Sequence, residues 1–307
     1  MADLKLFRVS DDEVSEIPGT ALALEKSLQT LIERHLETFL GVRFLASEYS
    51  TTKSHSGRID TLGIDDANSP VIIEYKRALN ESVINQGLFY LDWLLDHQDS
   101  FKWLVKDRLG DDAVGHITWQ FPRLVCIAGD FTKYDLYAVQ QIPRNIELIR
   151  YKRYGEDLVA LEQLARSPLA AAALPLVNHP STSPLSDHSL SDELISSADF
   201  VQKYPVDLQN WFHQLRAFIL GLGDDTEERV VATSSYVAFR RLRTFAYLNF
   251  MPKKGAIGID LPLPHGTVPF EPGFVEPKAG KWIRVWIDSA EHADRAQSIV
   301  AKSYELH

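Results

Sequence analysis

Three charged residues interrupt two apolar runs in the stretch GRIDTLGIDDANSPVIIEYKRA, residues 57–78: Asp60 near its start, then Glu74 and Lys76 after Val71, Ile72 and Ile73. Side chains alternate between the faces of a strand, so Glu74 and Lys76 share a face and Tyr75 takes the other. The turn DDANS folds the run with Asp60 back beside the run with Glu74, fourteen residues on. Two carboxylates and an ammonium then converge at one end of a small sheet. Hard oxygen donors so arranged suit Mg²⁺, with Mn²⁺ as a substitute, because these ions keep several waters and bridge to phosphate. A Lys beside them orients an attacking water and offsets charge developing on phosphorus. The bland alternative is a structural ion pair at a strand end, although a buried strand rarely retains an acid and a base without function.

Such a site must be built on rigid elements. Leu24, Leu28, Leu31, Ile32 and Leu36 recur at helical spacing and predict an amphipathic helix over 21–40. On it Glu25, Gln29 and Glu33 repeat every four residues, so one face can offer a third carboxylate. Strands are expected near 42–49, 57–64 and 70–76, then helices over about 80–98 and 99–110. A buried strand RLVCIAG, a short helix near 132–140 and a closing strand IELIRYKRY complete this part. Gln86 and Tyr90 lie four apart on one helical face, where they can support the site or reach phosphate; packing with a wet edge is the alternative.

Residues 167–195 are rich in Ser and Pro and read as a linker between a domain at 1–166 and another at 196–307. The second holds a helix at DLQNWFHQLRAFILGLG, several strands and a last helix near 289–303. In KWIRVWID, Trp282, Arg284 and Trp286 alternate with Ile283, Val285 and Ile287, and the tryptophans are expected in the core rather than as a base-stacking platform.

The order helix Glu, GRID, VIIEYK and Q-x-x-x-Y resembles the PD-(D/E)xK nuclease superfamily over about residues 20–155, and within it NucS-type and RecB-like endonuclease domains. The resemblance implies an α/β class: a restriction-endonuclease-like core, a mixed central sheet flanked by helices, followed by a smaller α+β domain. It also implies Mg²⁺-dependent hydrolysis of DNA phosphodiesters. Asp60 and Glu74 match the metal ligands, joined by the Tyr75 carbonyl; Lys76 matches the catalytic lysine, and Gln86 and Tyr90 an auxiliary catalytic pair. Glu25 matches the acid of the first helix, a metal ligand there, with Glu33 as the alternative. Ile59 replaces the Pro that the family carries before Asp. Residues 196–306 look like the domain of unknown function DUF5655, a name that supplies no mechanism.

A net charge of −10 argues against a general nucleic-acid sponge but allows local basic grooves. Arg58, Arg77, Arg150 and Arg153 near the core, and Arg240, Arg241 and Arg243 beyond the linker, are the candidate phosphate contacts. Residues 150–153 lie on an alternating strand, so at most part of that set faces DNA. The later cluster reads equally well as the exposed face of a strand. DNA is the expected partner, in repair or in defence against foreign DNA, with RNA less favoured and a homodimer left open. The rival is an inactive nuclease fold that binds nucleic acid or regulates.

No apolar run approaches the roughly 20 residues of a membrane span, and the first residues lack a signal peptide's pattern, so the expected compartment is the cytoplasm. The single cysteine, Cys126, is expected as a core residue. The sequence has no H-E-x-x-H, P-loop, G-x-G-x-x-G or G-x-S-x-G motif, which disfavours zinc protease, NTPase, dinucleotide-binding and α/β-hydrolase functions.

Overall fold

The computed structural model describes residues 4–10, 13–20, 25–51, 57–76, 83–120, 122–167, 196–231 and 235–307. The chain divides into two compact units, Met1–Asp192 and Glu193–His307. The expected linker, from residue 168 on, lies outside the described residues.

The first unit opens with a hairpin, β1 (Leu6–Ser10) and β2 (Glu13–Ile17), and a short strand β3 (Gly19–Thr20). The helix expected over 21–40 is two helices, α1 (Glu25–Arg34) and α2 (Leu36–Leu40), broken at His35; Gly41, in the left-handed region at φ 64°, ends the second. Next come β4 (Val42–Ser50), β5 (Arg58–Asp65) and β6 (Pro70–Lys76), an antiparallel meander. Helices α3 (Val83–Asp96), α4 (Gln98–Leu109) and α5 (Asp111–Val114) cross over to β7 (Arg123–Ala128), parallel to β6. Helix α6 (Lys133–Gln141) crosses to β8 (Asn145–Tyr154), parallel to β7, and β9 (Leu158–Arg166) returns antiparallel.

The strand order is β3-β8-β7-β6-β5-β4, with β9 also on β8. This is the mixed, helix-flanked sheet that was expected. β6 and β7 are central and buried along their whole length except at Lys76, as strands covered on both faces should be. Burial explains the apolar run VII, and it makes Glu74 within it costly unless its charge is matched. Helix α3 lies close on β7, because Gly87 has no side chain: a Cβ there would stand 2.4 Å from Leu124.

The second unit holds α7 (Ser197–Val201), α8 (Val206–Leu220), β10 (Glu227–Val231), β11 (Tyr236–Arg240), β12 (Thr244–Met251), β13 (Ala256–Leu261), β14 (Val275–Lys278), β15 (Trp282–Ile287) and α9 (Ala290–Leu306). Its sheet is wholly antiparallel, in the order β10-β11-β12-β13-β15-β14. Phe212, Leu215 and Ile219 of α8 and Ala296 and Val300 of α9 share a core with Leu248, Ile257, Ile259 and Val285 of the sheet. On β15 the core face is Ile283, Val285 and Ile287, and Trp282 and Trp286 point the other way, half-buried, contrary to the expected core placement. Alternation decided the faces correctly; the larger residues simply took the outer one. Among the described residues no helix is long and apolar enough to cross a membrane.

Candidate active site

β5 and β6 pair in register from Ile64↔Pro70 through Leu62↔Ile72 to Thr61↔Ile73. One residue further, carboxylates meet backbone donors. Glu74 Oε1 accepts from the Asp60 amide at 3.1 Å, and Asp60 Oδ2 accepts from the Tyr75 amide at 3.0 Å. Each acid thereby fastens the strand that carries the other, so the sheet end itself sets their positions. Glu74 is fully buried, while Asp60 and Lys76 are partly exposed.

The other neighbour of β5, β4, sets Glu48 level with Asp60, its register shift lying further off, between Phe44 and Ala46. The β4–β5 register runs Ser47↔Thr61, then Tyr49↔Ile59, and passes over Glu48. Glu48 has φ 53°, a left-handed conformation that costs a non-glycine residue about 1–3 kcal/mol. Its carboxylate accepts from Lys26 Nζ at 2.7 Å and is ion-paired with Arg58. The Lys26 hydrogen bond, with the pull of both cations, holds Glu48 below its usual carboxylate range against the opposing effect of burial.

Helix α1 reaches the site through Gln29, which is 3% exposed. Its Nε2 lies 2.8 Å from the Asp60 carbonyl, 3.0 Å from Glu33 Oε1 and 3.2 Å from Ser47 Oγ. Glu33 Oε1 also accepts from Thr61 Oγ1 at 2.6 Å, and Tyr75 Oη stands 3.4 Å from that hydroxyl. Thr61 and Tyr75 project to the face opposite Glu74, so Glu33 braces the sheet from behind. Burial pushes the Tyr75 phenol far up, which keeps it protonated. Glu25 is the first residue of α1, and its side chain lies outside the described residues.

Tyr90 Oη accepts from the Arg58 amide at 3.1 Å and from Gln86 Nε2 at 3.3 Å. Gly57 makes room for the ring: a Cβ there would come within 2.6 Å of it. The Gln86–Tyr90 pair therefore anchors the start of β5, two residues before Asp60.

The expected phosphate contacts divide. Arg58 is exposed and paired with Glu48. Arg77 lies outside the described residues. Arg153 is partly exposed and donates to the Glu156 carbonyl at 2.6 Å. Arg150 is instead 5% exposed and bonded to Glu162 at 2.6 Å and Asp130 at 3.5 Å. Arg240 is likewise buried, 3.4 Å from Glu227. A buried guanidinium must be paired where it lies, so these two are structural cations rather than contacts for an incoming phosphate. Arg241 pairs with Asp225 at 2.6 Å and lies over the Tyr304 ring, and Arg243 donates to the Leu306 carbonyl at 3.4 Å. Cys126 is buried as expected, and burial, reinforced by the Glu74 and Asp135 charges, pushes its thiol far up.

Among the described residues, no group of three or more His, Cys, Asp and Glu is placed to hold a metal ion. The donors at the strand end are two carboxylates, each accepting from a backbone amide of the other's strand. Tyr75 adds a carbonyl, which faces β5 with its own amide, as both groups of an extended residue point to one side. Among the described residues these oxygen donors would suit Mg²⁺, which is bound through one or two carboxylates, waters and phosphate.

Gln29, Glu48 and Gly57 were not singled out from the sequence. Gln29 was visible in the four-residue repeat with Glu25 and Glu33, but nothing marked its amide as the group that meets Asp60. Glu48 carried no signal, since a left-handed glutamate is not encoded by residue type.

The fold and site define a mixed α/β unit with a carboxylate pair and a lysine at a sheet end, followed by an antiparallel α+β unit. Residues 197–307 match the family model described as "Domain of unknown function (DUF5655)". Over 320 aligned positions the chain is 26% identical to an uncharacterized protein of Haemophilus influenzae, covering 98% of this chain and 99% of that one. Two solved structures overlap part of it. One is a repair endonuclease from Pyrococcus abyssi, with 16% identity, TM-score 0.29, 45% of this chain and 51% of that one. The other is an EndoMS–double-stranded DNA complex, with 20% identity, TM-score 0.26, 47% of this chain and 49% of that one. The chain thus spans about half the length of the structures it matches.

Proposed function

We propose that the first unit is a metal-dependent DNA endonuclease that hydrolyses phosphodiester bonds, acting in repair or in defence against foreign DNA. One observation carries this reading: Asp60 and Glu74 are locked into mutual proximity by each other's strand amides at an end of the sheet where Lys76 shares the face of Glu74. Asp60, Glu74 and the Tyr75 carbonyl would hold Mg²⁺, or Mn²⁺ in its place. When bound, that ion supplies Lewis-acid stabilisation of charge on the phosphoryl oxygens. Lys76 orients the water whose oxygen attacks phosphorus as the bond to the leaving oxygen breaks, and its ammonium offsets the charge that accumulates. Gln29 and the Gln86–Tyr90 pair hold β5 at its two contacts beside Asp60. Of the arginines named as phosphate contacts in the first unit, Arg58 is exposed and Arg153 partly exposed, and these two would meet the phosphate backbone.

The experiment is a cleavage panel of plasmid, linear, single-stranded and mismatched DNA, with RNA strands added, under Mg²⁺, Mn²⁺ and chelator. Metal-dependent cutting of at least one DNA, abolished in Asp60→Asn, supports the proposal. Binding of these substrates with no cutting under any metal favours an inactive nuclease fold that binds nucleic acid.

A further inference from the structure

The second unit has a face with no role so far. Its sheet packs α8 and α9 on the side of Ile283, Val285, Ile287 and the residues level with them. On the other side β15 presents Trp282, Arg284 and Trp286, all part-exposed. Two large indoles thus stand off the core on one strand face, with Arg284 between them.

Their surroundings are built. Asp260, 5% exposed, receives Arg284 through both Nε–Oδ1 and Nη2–Oδ2 at 2.6 Å, Lys278 Nζ at 2.5 Å and Asn249 Nδ2 at 3.1 Å. This bidentate grip fixes Arg284 between the two indoles. Trp286 is oriented by its Nε1–H, which donates to Glu276 at 2.8 Å, and the exposed Lys254 ammonium stands 4.4 Å from its ring centroid. Trp282 leans on Tyr247 with centroids 5.5 Å apart. Among the side chains that meet the rings or Asp260, the cations Lys254, Lys278 and Arg284 outnumber the acids Asp260 and Glu276. The strip is therefore net positive in a chain of net charge −10.

We infer that this face of the second unit binds single-stranded nucleic acid, with Trp282 and Trp286 stacking on unpaired bases and Lys254 and its neighbours meeting the phosphates. Fixed aromatic rings interleaved with cations are what a sequence-tolerant strand platform requires, because every base has a π-face and every nucleotide one negative charge. A duplex hides those faces, and an acidic protein segment would use the cations but leave the indoles idle. The inference does not rest on the nuclease proposal.

The test uses the full chain carrying Asp60→Asn, so that cutting cannot confuse binding. Fluorescence anisotropy with a labelled single strand of about 16 nucleotides, the upper site size for such platforms, reads affinity. Trp282→Ala and Trp286→Ala should each weaken binding by about 5- to 100-fold, the loss of one stacked base. Trp→Phe at either position should retain most of the affinity. Strands carrying 5-iodouracil should photo-cross-link to peptides containing residues 282 and 286, a readout that remains if an alanine variant fails to fold. Unchanged affinity in a folded double-alanine variant, or cross-links only elsewhere, would overturn the inference. So would displacement by polyglutamate as effective as by unlabelled strand, which would assign the face to an acidic protein partner.

Discussion

Strand β5 carries an aspartate near each end, and the two are treated in opposite ways. Asp65 is 1% exposed; its Oδ1 accepts from the amides of Ala67 and Ser69 at 3.0 and 2.8 Å, shaping the turn. Its Oδ2 lies 3.4 Å from Arg123, which grips Glu147 through Nε at 2.9 Å and Nη2 at 3.2 Å. Arg166 approaches Glu147 at 4.0 Å, so two acids meet two bases. That is a structural ion cluster, buried at Asp65, Arg123 and Glu147. At the other end, Asp60 and Glu74 are held by backbone amides, and Asp60 and Lys76 remain partly exposed. The same strands thus supply their own reference for what a structural cluster looks like, and the Asp60 end departs from it in exposure. Stability explains the first end; under the proposed function, chemistry accounts for the second.

Substitutions should separate the two ends. The largest effect is expected at the open end: Glu74→Gln should lower cleavage by about 10²–10⁴-fold while the melting temperature stays the same or rises, as removal of a buried charge predicts. Cleavage rates and calorimetry on one preparation check this, and a large drop in melting temperature with activity retained would merge the two ends. Arg123→Met should do the reverse, costing about 3–5 kcal/mol in urea unfolding because it strands two buried carboxylates, with cleavage per folded molecule unchanged.

Smaller effects sharpen the boundary. Gly57→Ala drives a methyl into Tyr90, 2.6 Å away, and should cost about 1–3 kcal/mol by overpacking. It should also slow cleavage, because β5 carries Asp60 two residues beyond Arg58; a stability loss with full activity would show that the Tyr90 anchor does not position the site. The smallest effect concerns Glu48. Its folded pKa is depressed, so its contribution is fully present above the unfolded value of about 4.3 and is lost as pH falls through the lower folded value. Glu48→Gln should cost about 0.2–1 kcal/mol at pH 7, and the difference from wild type should vanish below the folded pKa in acid unfolding curves.

Much of this was legible in the sequence, and the physical reasons differ by element. The central strands announced themselves because burial on both faces forces continuous apolar runs, against which Glu74 stands out. The helices α3, α8 and α9 kept their periodicity. The break at His35 was not visible, since the apolar spacing continues through it. Strand β9 was missed because LVALEQLAR has the composition of a helix and is only half-buried. Alternation identified the two faces of β15, yet it could not say which one the helices would cover. Arg150 and Arg240 looked like surface cations because their acids, Glu162 and Glu227, meet them only through strand pairing. Residue type and spacing find the acids and the lysine; the amides that fix them belong to the backbone and appear only in the fold.

The most direct measurement is the single-turnover cleavage rate of wild type and Lys76→Ala on the best DNA substrate, at saturating Mg²⁺. The account predicts metal-dependent cutting by wild type and a fall of about 10²–10⁴-fold in the variant, with unchanged folding and DNA affinity. Cutting by Lys76→Ala at the wild-type rate, or no cutting by wild type on any substrate and metal, would contradict it.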